Sequence, residues 1–555
     1  MPKLTYQTGS PADVDADVVI LPMFEGPEAG PGVKDAGDAL GTDLVALYRS
    51  NKLKGKVGEA LTVPTLGGLP AATLLLVGLG KRSELTADKL RRGIGKVASR
   101  VSRFERVATT FPQVSRPSDG AMEATIEGVL LGAYRFDRYK GKGADPDSKP
   151  ALREIVLLGS SRQDGAKEAI GRATIIAQSV AWARDLVNMP AKEATPEYLA
   201  KEAQRVAKEA GLKIKVWSPA ELKRGGFGGI LGVGQGSMNP PRLIELSYQG
   251  AGSARPYAIT GKGVTFDSGG LSIKPAGAME WMKADMAGAA AALATMRAIG
   301  LLRPRINVIA AIPCSENLPS GSSIRPGDVL VHRGGKTSEV LNTDAEGRLI
   351  LADALAFLTE QKPVAVVDCA TLTGAAVVAL GDDITALFGN NQALTRQVLA
   401  ASEAVGEPAW ELPLWDDYRK LIDSPIADVK NTGPRGGGAI TAALFLREFV
   451  GDVPWVHLDV AGAAYSETPG DYWPKGGTGM PARTLIRWLL DRAGDGRARR
   501  ASGNGSRAKA ATSRTRSGAG RPRSTGAARK TPARKTTARE TGTGSRTAAR
   551  GRGRR

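Results

Sequence analysis

Short runs of Val, Ile, Leu and Ala recur along the chain, separated by stretches with helical periodicity, and this alternation restricts the fold more than any other feature. Apolar runs stand at 18–22, 72–77, 154–158, 258–260, 307–312, 364–368 and 455–460, and helical patterns at 87–101, 166–187, 286–299 and 346–359. A strand with little polar alternation needs cover on both faces, so runs of this kind between helices predict an α/β protein whose central sheet is mixed and flanked by helices on both sides. Glycine, proline and charge gather at 139–150 and read as a linker. The predicted organisation is an N-terminal α/β domain over 1–150, a connecting strand and helix over 151–190, a catalytic α/β domain over 191–496 and a tail over 497–555.

Charge sets the tail apart. The chain carries 76 Lys and Arg against 56 Asp and Glu, but 19 of the cations and one acid, Glu540, fall in 497–555, which leaves 57 against 55 elsewhere. The tail has no Val, Ile, Leu, Met, Phe, Trp or Tyr. With nothing to bury it is expected to be disordered and to attract polyanions by counterion release. Its lack of aromatics argues against sequence-specific single-strand readout.

Two cysteines, Cys314 and Cys369, stand in apolar surroundings and read as reduced core thiols. Two histidines, His332 and His457, are too few for a His-rich metal centre and fit no HExxH pattern. Any metal must be held mainly by oxygen. The N-terminus lacks a cationic and apolar leader pattern and no segment holds eighteen uninterrupted apolar residues, so a cytoplasmic protein without membrane contact is expected.

Three glycine-rich stretches mimic phosphate loops and fail on spacing. Gly78-Leu79-Gly80-Lys81-Arg82-Ser83 ends in Ser where the dinucleotide fingerprint needs Gly or Ala, Gly335-Lys336-Thr337 lacks the preceding loop, and Gly232-Val233-Gly234-Gln235-Gly236 lacks the third glycine. All three read as turns. The chemistry concentrates in two other stretches, GKGVTFDSGGLSIKPAGAMEWMKADMAG from Gly261 and LNTDAEGRL from Leu341. Asp267 follows an apolar run and precedes Ser268-Gly269-Gly270, which places it at a strand end facing a tight turn. Asp285 precedes a helix of small residues starting near Met286. Asp344 and Glu346 are two apart after the strand-like 338–341, a spacing that in extended chain points both side chains one way. Four carboxylates converging on strand termini repel unless cations bind among them, and a pair of divalent ions meets that need. Lys262 and Lys274 lie in the same stretch; one can ligate as a neutral amine while a charged one stabilises an oxyanion.

Asn342-Thr343-Asp344-Ala345-Glu346-Gly347-Arg348-Leu349 reproduces the NTDAEGRL signature of the leucyl aminopeptidases, the M17 metallopeptidases, and 261–275 resembles their other metal-binding segment. The similarity extends from 183–190 through 370–374 to 457–462 and 479–490; the N-terminal part resembles the family only weakly and the tail lies outside it. The resemblance implies an N-terminal domain of macro-like type and a dinuclear peptidase domain. It implies one metal on Asp267, Asp344 and Glu346 and a second on Lys262, Asp267, Asp285 and Glu346, the ions being Mn²⁺ or Zn²⁺, with a hydroxide bridging the pair as nucleophile. Lys274 would steady the oxyanion and Arg348 would anchor a bicarbonate that shuttles the proton. Met282, Thr371, Gly374 and Ala461 match positions lining the pocket for the first residue, suiting Leu or Met with broad tolerance, and Ala464 stands where relatives often carry a larger side chain. The expected assembly is a homohexamer acting in peptide turnover. Two other readings compete: a nucleic-acid-binding architectural or regulatory protein working through the tail, and a two-metal phosphoesterase, which leaves Lys262 unexplained.

Overall fold

The computed structural model describes residues 2–115, 120–141, 152–160, 165–277 and 279–507. Its first sheet has seven strands in the order Lys3–Thr8, Glu154–Gly159, Arg106–Thr109, Val18–Phe24, Thr73–Gly78 and Ala60–Pro64, with Glu28–Ala29 paired to Val18–Phe24. All seven residues of Val18–Phe24 are buried, as a strand covered on both faces requires. The helix Ala87–Val101 supplies part of that cover, and Thr86 caps it by accepting from the Lys89 backbone N–H.

The second sheet has nine strands in the order Ala409–Glu411, Thr385–Gly389, Trp455–Asp459, Val366–Ala370, Tyr257–Gly261, Asn307–Asn317, Arg242–Gln249 and Lys213–Trp217, and Gly263–Asp267 pairs with the far half of Asn307–Asn317. The central strands run parallel, whereas Arg242–Gln249 and Thr385–Gly389 are antiparallel to their inner neighbours. The sheet is therefore mixed, as expected.

Helix Ala287–Leu302 lies against the centre of this sheet, and small residues let it approach closely. A Cβ at Gly261 would fall 2.1 Å from the Gly288 carbonyl oxygen, and one at Gly288 would fall 2.1 Å from the Cys369 carbonyl oxygen. The stretch Met279–Leu302 has the length and hydropathy of a membrane span, but its apolar window is 83% buried inside the protein. Helix Ala166–Asn188 packs on Ala121–Gly132 of the first layer and on Ala287–Leu302 of the second. Its fully buried Arg184 donates to the carbonyls of Leu131 (2.8 Å), Thr478 (2.9 Å) and Tyr472 (3.2 Å), so one guanidinium fixes the two layers to each other. Burial pulls its pKa down to about 10.

Helix 87–101 starts and ends where the periodicity places it, and helix 166–187 extends one residue further. One expectation needs correction. Gly232–Gly234 is not a turn but the end of helix Gly228–Gly234, whose glycines let it pack tightly: a Cβ at Gly229 would meet the Leu349 carbonyl oxygen at 2.2 Å. The last helix is Ala482–Arg507; residues 508–555 of the expected tail, like the linker residues 142–150, lie outside the described residues.

The close approach at Gly288 gives a direct test. Gly288→Ala puts a methyl group into the Cys369 carbonyl, and the forced shift is expected to destabilise the protein by about 1–3 kcal/mol, read as a lowered denaturant midpoint.

Candidate active site

The chain breaks its strand at Lys262, between Tyr257–Gly261 and Gly263–Asp267. The Lys262 backbone N–H donates to Cys369 O (3.0 Å) and its carbonyl accepts from the Ala289 N–H (2.8 Å), so sheet and helix both fix the residue. Its ammonium donates to Thr371 O at 2.9 Å and pairs with Asp285 Oδ1 at 2.8 Å and Glu346 Oε1 at 2.7 Å. A Cβ at position 347 would lie 2.5 Å from Lys262 Cε, which explains why glycine follows Glu346.

Asp267 ends its strand, as expected, and Gly269 and Gly270 turn the chain back with φ of +87° and +63°. Asp267 Oδ1 accepts from Gly269 N and Asn317 Nδ2, both at 2.8 Å, and Oδ2 pairs with Lys274 at 2.8 Å. Lys274 also reaches Asp344 Oδ1 at 2.5 Å. Carboxylate oxygens of Asp267, Asp344 and Glu346 lie within 4.8 Å of one another, and Lys262 ties Asp285 to the group. The five predicted metal-binding residues and Lys274 thus meet in one place.

Asp267 and Asp285 stand locally where expected, but the four acids do not all come from strand termini, and Asp344 and Glu346 reach the site by a different route. Only Asp267 ends a strand of the large sheet. Asp344 lies in the turn after Thr337–Glu339, Glu346 is the first residue of helix Glu346–Glu360, and Asp285 precedes Ala287–Leu302. Asp344 and Glu346 are not in extended chain: Ala345, with φ −104° and ψ 44°, turns between them, and the helix start aims the Glu346 carboxyl inward.

Electrostatics describe a strongly polarised centre. Burial raises the Asp285 pKa, and the neighbouring Glu346 and Asp267 charges add to it; burial and Glu346 raise that of Asp267; burial and Asp267 raise that of Asp344. Burial opposes the charge on Lys262, but Asp285, Glu346 and Asp267 outweigh it and hold the ammonium above its ordinary range. Lys274 behaves likewise through Asp267 and Asp344. Asp285 Oδ2 and Glu346 Oε2 are buried without any partner, while Asp344 Oδ1 and Glu346 Oε1 face only the ammonium groups of Lys274 and Lys262. Unpartnered buried carboxylate oxygens around a common centre are a donor set for hard or borderline divalent cations, so these residues fit a metal pair.

Arg348, in the first turn of the Glu346 helix, donates through Nη1 to Asn431 O at 2.8 Å, while its Nε is buried and unpartnered. Burial pulls its pKa down to about 10. Of the predicted pocket residues, Thr371 donates to Asp285 Oδ1 at 2.7 Å, and Met282 accepts the Asp285 N–H through its carbonyl at 3.2 Å. Gly374 is exposed at the start of helix Gly374–Leu380, and Ala461 is half-buried. The sequence reading missed three residues that hold these parts. Asn317 donates to Asp267 Oδ1 and to Thr343 O (2.9 Å), joining the two ligand-bearing segments. Asn431 holds the 341–345 turn. Asp459 accepts from Leu372 N (3.1 Å), Thr373 N (3.4 Å), Thr373 Oγ1 (2.7 Å) and Ala461 N (3.2 Å). Asp459 stands in the matched 457–462 block and Asn317 ends an apolar strand on a polar residue; those were the available signals.

Other constellations do not compete. Ser338, His332 and Asp353 are hydrogen-bonded in series at 2.7 and 3.2 Å, but they are 0%, 1% and 0% exposed, so no substrate reaches that serine. His457 pairs with Asp368 at 2.6 Å between the Phe388 and Trp455 rings and holds no place among the acids. Cys314 and Cys369 are buried free thiols, burial pushing the Cys314 pKa up to about 12.

Comparison with known proteins decides between the remaining readings. Residues 181–486 match the catalytic domain of the cytosol aminopeptidase family, and residues 20–143 match its N-terminal domain. The chain belongs to the cytosol aminopeptidase family. It is 44% identical over 491 residues to a probable cytosol aminopeptidase of Geobacter sp. (strain M21), covering 88% of this chain and 99% of that protein. It is also 44% identical over 515 residues to one from Streptomyces avermitilis, covering 89% and 100%. Among solved structures it is similar to a mutant of tomato leucine aminopeptidase, with a TM-score of 0.80, 33% identity and coverage of 88% and 97%. It is also similar to the bottromycin maturation enzyme BotP in complex with Mn, with a TM-score of 0.77, 37% identity and coverage of 86% and 100%. The enzyme is a metal-dependent aminopeptidase, a hydrolase acting on peptides and using divalent ions. These comparisons support neither a phosphoesterase nor a nucleic-acid-binding architectural protein.

Asp459 can be tested apart from the metal. Asp459→Ala leaves the Leu372 and Thr373 donors without their acceptor and is expected to cost about 1–3 kcal/mol of stability, measured by denaturant unfolding.

Proposed function

We propose that this aminopeptidase removes Leu- or Met-like N-terminal residues with broad tolerance, using Lys274 and Arg348 as catalytic residues. Asp267, Asp344 and Glu346 would hold one ion, and Lys262, Asp267, Asp285 and Glu346 the other, Mn²⁺ or Zn²⁺ in each case. The observation that carries this reading is the convergence of Asp267, Asp344 and Glu346 oxygens within 4.8 Å of one another, with Asp285 Oδ2 and Glu346 Oε2 buried and unpartnered beside them. When bound, the ions supply Lewis-acid polarisation of the peptide carbonyl and acidify water.

The chain's own groups account for the remaining steps. Asp285 Oδ2 accepts from the free α-amine of the substrate, which anchors the first residue and rejects a blocked terminus. The Lys274 ammonium, steered by Asp267 and Asp344, donates to the oxyanion that develops on the carbonyl. Arg348, with its buried Nε unpartnered, would hold a bicarbonate ion, which when bound would supply a base for proton transfer. Met282, Thr371, Gly374 and Ala461 border the first side chain, and the small, buried Ala464 leaves that pocket roomy. The setting proposed is a cytoplasmic homohexamer, in line with relatives named as cytosol aminopeptidases. The 497–555 segment lies outside both family matches; its charge offers salt-sensitive attraction to nucleic acid without a part in catalysis.

Metal-stripped enzyme is expected to be inactive on leucine p-nitroanilide and to recover with Mn²⁺ or Zn²⁺. Glu346→Ala or Asp267→Ala should lose both metal and turnover, measured by elemental analysis and anilide release, and N-acetyl-leucine anilide should be inert with the wild type. Rapid cleavage of the acetylated substrate would reject amine anchoring by Asp285. For the tail, a mobility shift on duplex DNA should weaken with salt and disappear in a chain ending at Asp495; equal binding by both chains would remove the tail from consideration.

A further inference from the structure

Helix Glu346–Glu360 starts without a cap of its own. Its N-cap residue is Ala345, which has no side chain able to accept from the first turn, and yet this end carries Glu346 and Arg348. The turn that leads into it is held from outside, by Asn317 and Ser272 at Thr343 and by Asn431 at the residues on either side. Asn431 is 0% exposed. Its Oδ1 accepts from the backbone N–H groups of Leu341 (2.9 Å) and Asn342 (3.3 Å), and its Nδ2 donates to the carbonyls of Asn342 (2.7 Å) and Ala345 (3.4 Å). Its own carbonyl accepts from Arg348 Nη1 at 2.8 Å.

A primary amide is the side chain that offers two acceptor sites and two donors in one plane, and here all four face the backbone of one turn. An aspartate would set a carboxylate oxygen against two carbonyls, and an apolar residue of equal size would take the acceptor from the Leu341 and Asn342 N–H groups and the side-chain donor from the Asn342 and Ala345 carbonyls. Asn431 itself is registered from elsewhere. It follows strand Val429–Lys430, which pairs in parallel with Thr337–Glu339, and its N–H donates to Glu339 O at 2.9 Å. The three-stranded sheet of Val329–Val331, Thr337–Glu339 and Val429–Lys430 therefore ends by delivering this amide to the turn that carries Asp344 and leads to Glu346 and Arg348.

We propose that Asn431 is a positioning residue for the reaction: through its side-chain amide and its carbonyl it sets the place of the 341–345 turn and of the Arg348 guanidinium. It touches no reacting atom. The inference rests on the assignment of Asp344, Glu346 and Arg348 to the reacting site, and goes beyond it by naming what fixes them.

The test uses full-length enzyme with Mn²⁺ at saturation and two variants, Asn431→Leu, which keeps the volume and removes the amide, and Asn431→Ser, which keeps one small polar group. Thermal unfolding gives the folded fraction. Per folded molecule, kcat on leucine p-nitroanilide is expected to fall about 10–100-fold with KM little changed, because the amine-binding side at Lys262, Asp285 and Thr371 is untouched. Calorimetric titration with Mn²⁺ provides a readout independent of turnover, and the dissociation constant is expected to rise by a similar factor. A purely structural role would lower the melting temperature and leave both values as in the wild type. A kcat per folded molecule within about twofold of wild type, or an unchanged Mn²⁺ affinity, overturns the proposal. So does failure of both variants to fold, which would assign Asn431 to the fold alone. The underlying assignment is checked separately: if Arg348→Ala and Glu346→Ala, with Asn431 intact, keep kcat and Mn²⁺ binding, that assignment fails whatever the Asn431 variants do.

Discussion

Four carboxylates, those of the buried Asp267, Asp285 and Glu346 and of Asp344 at their open edge, are crowded together, and the chain sets two ammonium groups directly against them. Burial disfavours each negative charge and proximity adds mutual repulsion, which is why the Asp267, Asp285 and Asp344 pKa values all move up. Two cations against four anions leave a deficit that divalent ions remove. The arrangement also explains why the lysines cannot be exchanged for distant surface charge: each bridges two acids, Lys262 joining Asp285 to Glu346 and Lys274 joining Asp267 to Asp344. Attraction at such short range in a poorly hydrated space is far stronger than the same pairs would show in water.

The rest of the fold serves to keep that crowd in register. Lys262 is fixed because sheet and helix approach within backbone contact at Gly261 and Gly288, and Glu346 is followed by glycine because the Lys262 stem fills the space a side chain would need. Asp267 is aimed by a turn through two left-handed glycines. Small residues at these points do not merely permit packing. They set how closely opposite charges can come together, and so act on the electrostatics through sterics.

Much of this was legible in the sequence because it is local. A strand running into Asp-Ser-Gly-Gly, a helix of small residues after Asp285 and an acidic signature before Arg348 each leave a mark within about ten residues, and the apolar runs read as strands because both faces are covered. Asn431 was not legible, because its partners at 341–348 are more than eighty residues away and the pairing exists only once Val429–Lys430 lies beside Thr337–Glu339. The convergence of Asp344 and Glu346 was legible but its cause was not. An i, i+2 spacing suits an extended chain, whereas here a turn at Ala345 and a helix start do the work, and only the backbone angles distinguish the two. Gly232–Gly234 misled in the opposite sense. Its glycines suggest a turn from local propensity, while their tight tertiary approach to Leu330 and Pro241 makes a helix the better use of them.

The residues that hold the charged groups without being charged themselves follow from the same electrostatics. Asn317 orients Asp267 and the Thr343 carbonyl, and Asn431 orients the turn before Glu346; both are neutral amides. A lysine or arginine in either place would also hold the acids still, but its charge would compete with divalent ions for the same oxygens and reduce the attraction that draws the ions in. An additional carboxylate would raise the repulsion that burial already makes costly. A neutral side chain with donors and an acceptor fixes geometry and leaves the charge balance alone. Asp459 is the exception that fits: its oxygens are occupied by the Leu372, Thr373 and Ala461 donors, so this third support can bear a charge while directing it toward backbone N–H groups and a hydroxyl.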